Sequence, residues 1–131
     1  MKKCVDHALL GGELVEILIV DDGSTDDTAK IADAYAEKYP TIVKAIHKEN
    51  GGHGDAVNTG IAHATGVYFK VVDSDDWLDR EAYKQVLKVL KKLVEDEKDL
   101  DVCSPTISMT RWNAGRSVSC VITVLCQRNG L

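Results

Sequence analysis

Gly66-Val67-Tyr68-Phe69-Lys70-Val71-Val72-Asp73-Ser74-Asp75-Asp76-Trp77 is a short β-branched and aromatic run that ends in three carboxylates within four positions. An apolar run of this length, opened by a glycine and closed by polar residues, reads as a buried strand rather than a helix. The acids therefore sit at its C-terminal end, and in an open α/β sheet ligands bind in the crevice beyond that end. Three carboxylates so close together repel one another unless a cation sits among them or their pKa values rise. A divalent ion answers that charge: Mg2+ and Mn2+ take oxygen ligands, and Mg2+ is usually held by one or two carboxylates together with substrate phosphates.

Working outward, Leu14-Val15-Glu16-Ile17-Leu18-Ile19-Val20 is a second run dense in β-branched residues, too continuous for a half-exposed strand and suited to the centre of a parallel sheet. It too ends in acids, Asp21-Asp22, followed by Gly23-Ser24-Thr25-Asp26-Asp27. Gly23 permits a tight turn, Ser24 or Thr25 can cap a helix over about 25–38, and Asp26 and Asp27 suit its first turn. Thr41 to Ile46 reads as another strand and His47 to Gly54 as a glycine-rich loop. A helix from Asp55 ends at Gly66, and a long amphipathic helix runs from Asp79 to about 96. A helix end over 2–10, with Cys4, Val5, Ala8 and Leu9 on one face, precedes Gly11-Gly12, and a last strand begins at Leu100-Asp101-Val102. This alternation predicts an α/β fold, an open, mostly parallel sheet with helices on both faces.

The chain has the length of one domain, and its net charge of −5 argues against nucleic acid as a partner. No apolar stretch approaches the roughly 20 residues of a membrane span. Met1 to His7 has no apolar core of a signal peptide, so the expected location is the cytoplasm. Cys4, Cys103, Cys120 and Cys126 form no C-x-x-C pair and read as free thiols. From Cys103 to Leu131 there is no Lys, Asp or Glu, an abrupt change from everything before it. Residues 103–131 are therefore set apart from residues 1–102 as an atypical tail, expected to be poorly ordered.

Two acid-tipped strands would bring Asp22 and Asp73 to Asp76 towards one end of the sheet, with the loop Asn50-Gly51-Gly52-His53-Gly54 between them. The glycines allow close backbone approach, and their N–H groups could form an anion nest. Singly, each feature has a plainer reading: a strand-to-helix turn, a surface loop, helix-capping acids. His7, His47 and His63 read as surface residues, Trp77 as a packing anchor, and Lys84, Lys88, Lys91 and Lys92 as a solvated helix face.

Jointly, Asp22-Gly23-Ser24-Thr25-Asp26, Asn50-Gly51-Gly52, Asn58-Thr59-Gly60-Ile61, Ala64-Thr65-Gly66 and Asp73-Ser74-Asp75-Asp76-Trp77-Leu78 resemble the family 2 inverting glycosyltransferases of GT-A, Rossmann-like fold, over residues 3–102. The resemblance implies a nucleotide-sugar donor, usually UDP-linked, a saccharide or lipid-linked acceptor, and a Mg2+ or Mn2+ ion held at the D-x-D region, in polysaccharide or cell-wall synthesis. It places Asp22 on the uracil or ribose, with Asn50, Gly51 and Gly52 also in the nucleotide-sugar site. Asp73 and Asp75 fall on the D-x-D pair, with Asp75 and Asp76 as metal ligands. The family's opening strand would precede Met1 and its catalytic base would follow the resemblance, so no residue of this chain is nominated as the base. An incomplete, weakly active form is expected, with self-association through an uncovered sheet edge and peripheral membrane association of the full enzyme. Read one frame over, Ser104 to Leu131 can spell a tyrosine-rich, basic continuation like the family's, so a one-base shift near Cys103 would account for the tail. The alternatives are a non-catalytic nucleotide- or metal-binding module and an aspartyl-phosphate phosphoryl-transfer domain.

Overall fold

The computed structural model describes residues 1–97 and, for the backbone, residues 118–124. Its centre is β1, Val15–Asp22, buried along its whole length. Side chains alternate across a strand, so Val15, Ile17 and Ile19 join one core with Cys4, Val5 and Ala8 of α1 (Lys2–Ala8) and Ala32 of α2 (Thr28–Lys38). Leu18 and Val20 are equally buried on the opposite face, which α3 (His53–His63) covers. Each fully buried aliphatic side chain here contributes on the order of 2 kcal/mol by leaving water. Burial on both faces is what so nearly continuous an apolar run predicts.

β2 (Val43–Lys48) pairs parallel with β1. β3 (Tyr68–Asp73) is followed by α4 (Arg80–Glu95), whose Tyr83, Leu87 and Leu90 pack into the same core as Ile17. The Asp79 carboxylate caps α4 by accepting the Ala82 N–H at 2.9 Å, the role its position before the helix suggests. The backbone of Val118–Val124 forms β4, lying antiparallel between β1 and β3 to give the order β2-β1-β4-β3. Consequently β1, β2 and β3 all run in one direction, and α1, α2 and α4 lie on one face of the sheet with α3 on the other. The chain is an α/β protein, as the alternation predicts.

Several boundaries differ from the sequence reading, three of them near the site. α2 begins at Thr28 rather than 25, because Ser24 donates its N–H back to Asp21 and stays in the turn. β2 runs to Lys48 instead of stopping at Ile46, so His47 and Lys48 belong to a strand tip and not to the loop. α3 starts two residues early, at His53. The Val118–Val124 strand was not anticipated; the strand expected from Leu100 and the rest of the tail lie outside the described residues. Among the described residues no helix is long and apolar enough to cross a membrane. Cys4 is a free, buried thiol.

One buried charge organises the α3 face. Glu16 accepts both the Thr65 N–H and Oγ1–H, at 3.0 and 3.1 Å, and pairs with the half-exposed Lys44, so it ties the α3–β3 connection to the central strand. The ion pair contributes little because Lys44 is solvated, whereas the Thr65 donors lose their acceptor if Glu16 is truncated. Glu16→Ala is expected to cost about 2 kcal/mol in urea unfolding, and Lys44→Ala far less.

Candidate functional site

Asp21 and Asp22 end β1 and, as neighbours on a strand, face opposite sides of the sheet. Their register partners are His47 and Lys48 of β2. Two clusters result, back to back.

On the α3 side the Asp22 side chain is fully buried and meets Lys48 Nζ at 2.7 Å. Its Oδ1 also accepts the Gly51 N–H, and its Oδ2 the Gly52 N–H, each at 2.8 Å. Lys48 Nζ reaches Asp55 Oδ2 at 2.6 Å and the Glu49 carbonyl at 2.5 Å. Its three ammonium donors thus bind the β1 tip, the loop and the first turn of α3 together. Lys48 and the two backbone N–H groups hold the Asp22 carboxyl below the usual carboxylate range, and Asp22 and Asp55 push the Lys48 ammonium up. The N–H groups of Gly51 and Gly52, expected to face a ligand anion, are instead taken by the Asp22 carboxylate.

The loop is pressed against the turn. Gly23 has φ +72°, and a Cβ there would stand 2.8 Å from the Asn50 backbone nitrogen, so glycine is required by both conformation and contact. Gly51 is equally crowded by the Asp55 and Lys48 side chains.

On the α2 side His47 Nδ1 lies 3.1 Å from Asp21 Oδ2 and its Nε2 2.7 Å from Asp33 Oδ1. Asp21 also accepts the Ser24 N–H at 3.1 Å. Burial alone would raise the Asp21 carboxyl, but the bonds from Ser24 and His47 outweigh it and leave it low; Asp33 and then Asp21 raise the His47 imidazole. His47 lies at the surface, as expected, and is engaged there by two carboxylates.

The second acid-tipped strand delivers its carboxylates to the same end. Val20 of β1, Ser119 of β4 and Asp73 of β3 are in line across the ladder, so Asp73 lies on the Asp22 face, about 10 Å away laterally across two strand spacings. Asp73 to Asp76 form a turn closed by the Asp76 N–H on the Asp73 carbonyl at 2.9 Å. Within it Asp73 and Asp75 are exposed, while Ser74 and Asp76 are buried. His53, at the start of α3, stands 4.0 Å from Asp73 and spans the space between the two tips. Trp77 is half-buried beneath the Lys3 ammonium, which sits 3.5 Å from the ring centroid, in keeping with a packing role.

The structure thus joins Asp22 to Gly51 and Gly52, sets Asn50 against Gly23, and leaves Asp73 and Asp75 free to meet solvent at the adjoining tip. Among the described residues no three His, Cys, Asp or Glu side chains converge to hold a metal. Two exposed carboxylates nonetheless fit an ion that draws its remaining oxygens from a bound diphosphate. Sequence reasoning missed His47, Lys48, Asp33 and Asp55. The signal was available: a His-Lys pair opposite an Asp-Asp pair on adjacent strands is complementary once the strand is extended by two residues.

The family model of glycosyl transferase family 2 matches residues 1–121. Among curated proteins, the chain is 40% identical over 102 residues to the glycosyltransferase GlyG of Streptococcus pneumoniae serotype 4 (strain ATCC BAA-334 / TIGR4), covering 76% of this chain and 32% of that one. It is 42% identical over 91 residues to the uncharacterized glycosyltransferase YibD of Escherichia coli (strain K12), covering 69% and 25%. It is 29% identical over 106 residues to the minor teichoic acid biosynthesis protein GgaB of Bacillus subtilis (strain 168), covering 81% and 11%. The chain spans no more than about a third of the length of these relatives. No solved structure matches it.

Proposed function

Since the chain belongs to glycosyl transferase family 2, we propose that it forms the donor half of an enzyme that transfers a sugar from a nucleotide diphosphate, UDP by preference, to an acceptor hydroxyl with inversion. The observation that supports this reading is the shared end of β1 and β3, where a glycine loop folds on Asp22 and two exposed carboxylates stand beside it. In this reading Asp22 faces the nucleoside. Its Oδ2 accepts one N–H and has capacity for a second donor, which a small shift of the loop would admit. Asp73 and Asp75 face the ribose and diphosphate, and Mg2+ or Mn2+ would be held by Asp75 with Asp73 rather than, as expected from the sequence, with Asp76, whose carboxylate is buried. Bound there, the ion would stabilise the charge that builds on the departing diphosphate. The names of relatives that act in teichoic acid biosynthesis or as glycosyltransferases favour a surface polysaccharide as product, and the reaction would take place on the cytoplasmic side of the membrane.

Calorimetric titration with UDP tests the reading. Binding is expected to tighten when Mn2+ is present, and Asp75→Ala is expected to remove that Mn2+-dependent gain, about ten-fold, while leaving the metal-free affinity. Identical isotherms with and without Mn2+ for the unaltered chain would rule out the metal-assisted site.

A further inference from the structure

We propose that His47, held between Asp21 and Asp33, is a positioning residue for the donor site, setting from the α2 side the place of the Asp22 carboxylate on the α3 side. The inference rests on the donor-site reading above and extends it to a face of the sheet that no ligand would touch.

The coupling is geometric. Asp21 and Asp22 are consecutive, as are His47 and Lys48, and the register pairs them one to one. A shift of His47 relative to Asp21 therefore moves Lys48 relative to Asp22 by the same amount. The Asp21 side chain also closes a ring onto the Ser24 N–H, and the backbone inside that ring is Asp22 and Gly23. Fixing Asp21 from His47 thus fixes the segment that presents Asp22 and abuts Asn50.

The two nitrogens of His47 each face a carboxylate. A neutral imidazole has one N–H, so one carboxylate would oppose a lone pair; only the doubly protonated ring donates to both. The charged groups set against the ring are Asp33 from α2 and Asp21 from β1. Those on its own strand, Lys44 with Glu16 and Lys48 with Asp22, turn to the opposite face. Both facing groups are anionic, so the imidazolium is favoured and its loss is displaced to higher pH than for an ordinary histidine. Above that pH the clamp releases, and the donor site loses its order.

The test is UDP affinity in saturating Mn2+, measured across the imidazole titration for the unaltered chain, Asp33→Asn and His47→Gln. NMR of the His47 ring in each histidine-containing protein gives the imidazole midpoint directly. For the unaltered chain, affinity is expected to hold on the acid side and to fall about ten-fold as pH rises through that midpoint. Asp33→Asn should move both the midpoint and the affinity profile together to lower pH. His47→Gln should bind about ten-fold more weakly with no inflection. If both variants keep the affinity and pH profile of the unaltered chain, the clamp has no part in binding, and the donor-site reading stands without it. If the unaltered chain binds no UDP at any pH, the donor-site reading fails and the proposal falls with it, whatever the ring titration shows.

Discussion

Asp22→Ala is expected to abolish measurable UDP binding and to lower the free energy of unfolding by about 2 kcal/mol. The side chain is fully buried and serves three donors: Lys48 Nζ, the Gly51 N–H and the Gly52 N–H. Truncation leaves the two backbone donors without their acceptor. Lys48 keeps Asp55 and the Glu49 carbonyl, which limits the loss on the cation's side. The loop then has no anchor on β1, so binding suffers twice, through the missing contact and through the freed loop. Acid sensitivity gives a separate signature. The Asp22 carboxyl is depressed in the folded chain, so its contribution is complete above the unfolded carboxylate range and is lost as pH falls through the depressed value. The unaltered chain should therefore destabilise more steeply on acidification than Asp22→Ala. Calorimetry and urea unfolding at two pH values check both parts; an alanine variant that binds UDP as tightly as its parent would remove Asp22 from the site.

Gly23→Ala is expected to be as damaging to stability, at about 2–4 kcal/mol, and to weaken UDP binding without touching any proposed ligand contact. The left-handed backbone at φ +72° costs an L side chain roughly 1–2 kcal/mol. The remainder comes from forcing the Asn50 backbone away from a Cβ that would stand 2.8 Å from its nitrogen. Gly52→Ala meets no neighbour within 4 Å, but φ +87° with ψ 170° is a backbone region open essentially to glycine alone, so its cost, about 1–3 kcal/mol, is conformational throughout. If Gly23→Ala costs no more in urea unfolding than the roughly 1–2 kcal/mol of its backbone conformation, the turn and the loop are not pressed together as described.

Much of this arrangement was legible in the amino-acid order. The apolar runs at 15–20 and 67–72 identified two strands, but only β1 is buried as expected; in β3 Val72 alone is buried while Phe69 and Lys70 are exposed, and the acids directly after each run stand at one end of the sheet. Local pattern also placed the start of α4 at Asp79 and a tight turn at Gly23. What it did not disclose depends on relations between strands. His47 and Lys48 looked like loop residues because polar side chains and glycines follow them; only the pairing with Asp21 and Asp22 makes them strand. Glu16 looked like an interruption in an apolar run, since nothing local announces that Thr65 and Lys44 will meet it. The place of Val118–Val124 between β1 and β3 is a matter of sheet order, which periodicity does not encode. The opposite directions of Asp21 and Asp22, by contrast, follow from strand geometry alone and separate a role near the nucleotide from one behind it.

That opposition makes the end of β1 a partition between two chambers that share one wall. Substitutions on the α2 side can retune the rigidity of the wall without entering the chamber where a donor would lie, and those near Asn50 to Asp55 can reshape that chamber without reaching His47. Inserting or deleting one residue within β1 would do neither, because it would rotate every side chain beyond it by half a turn and exchange the tenants of both rooms at once.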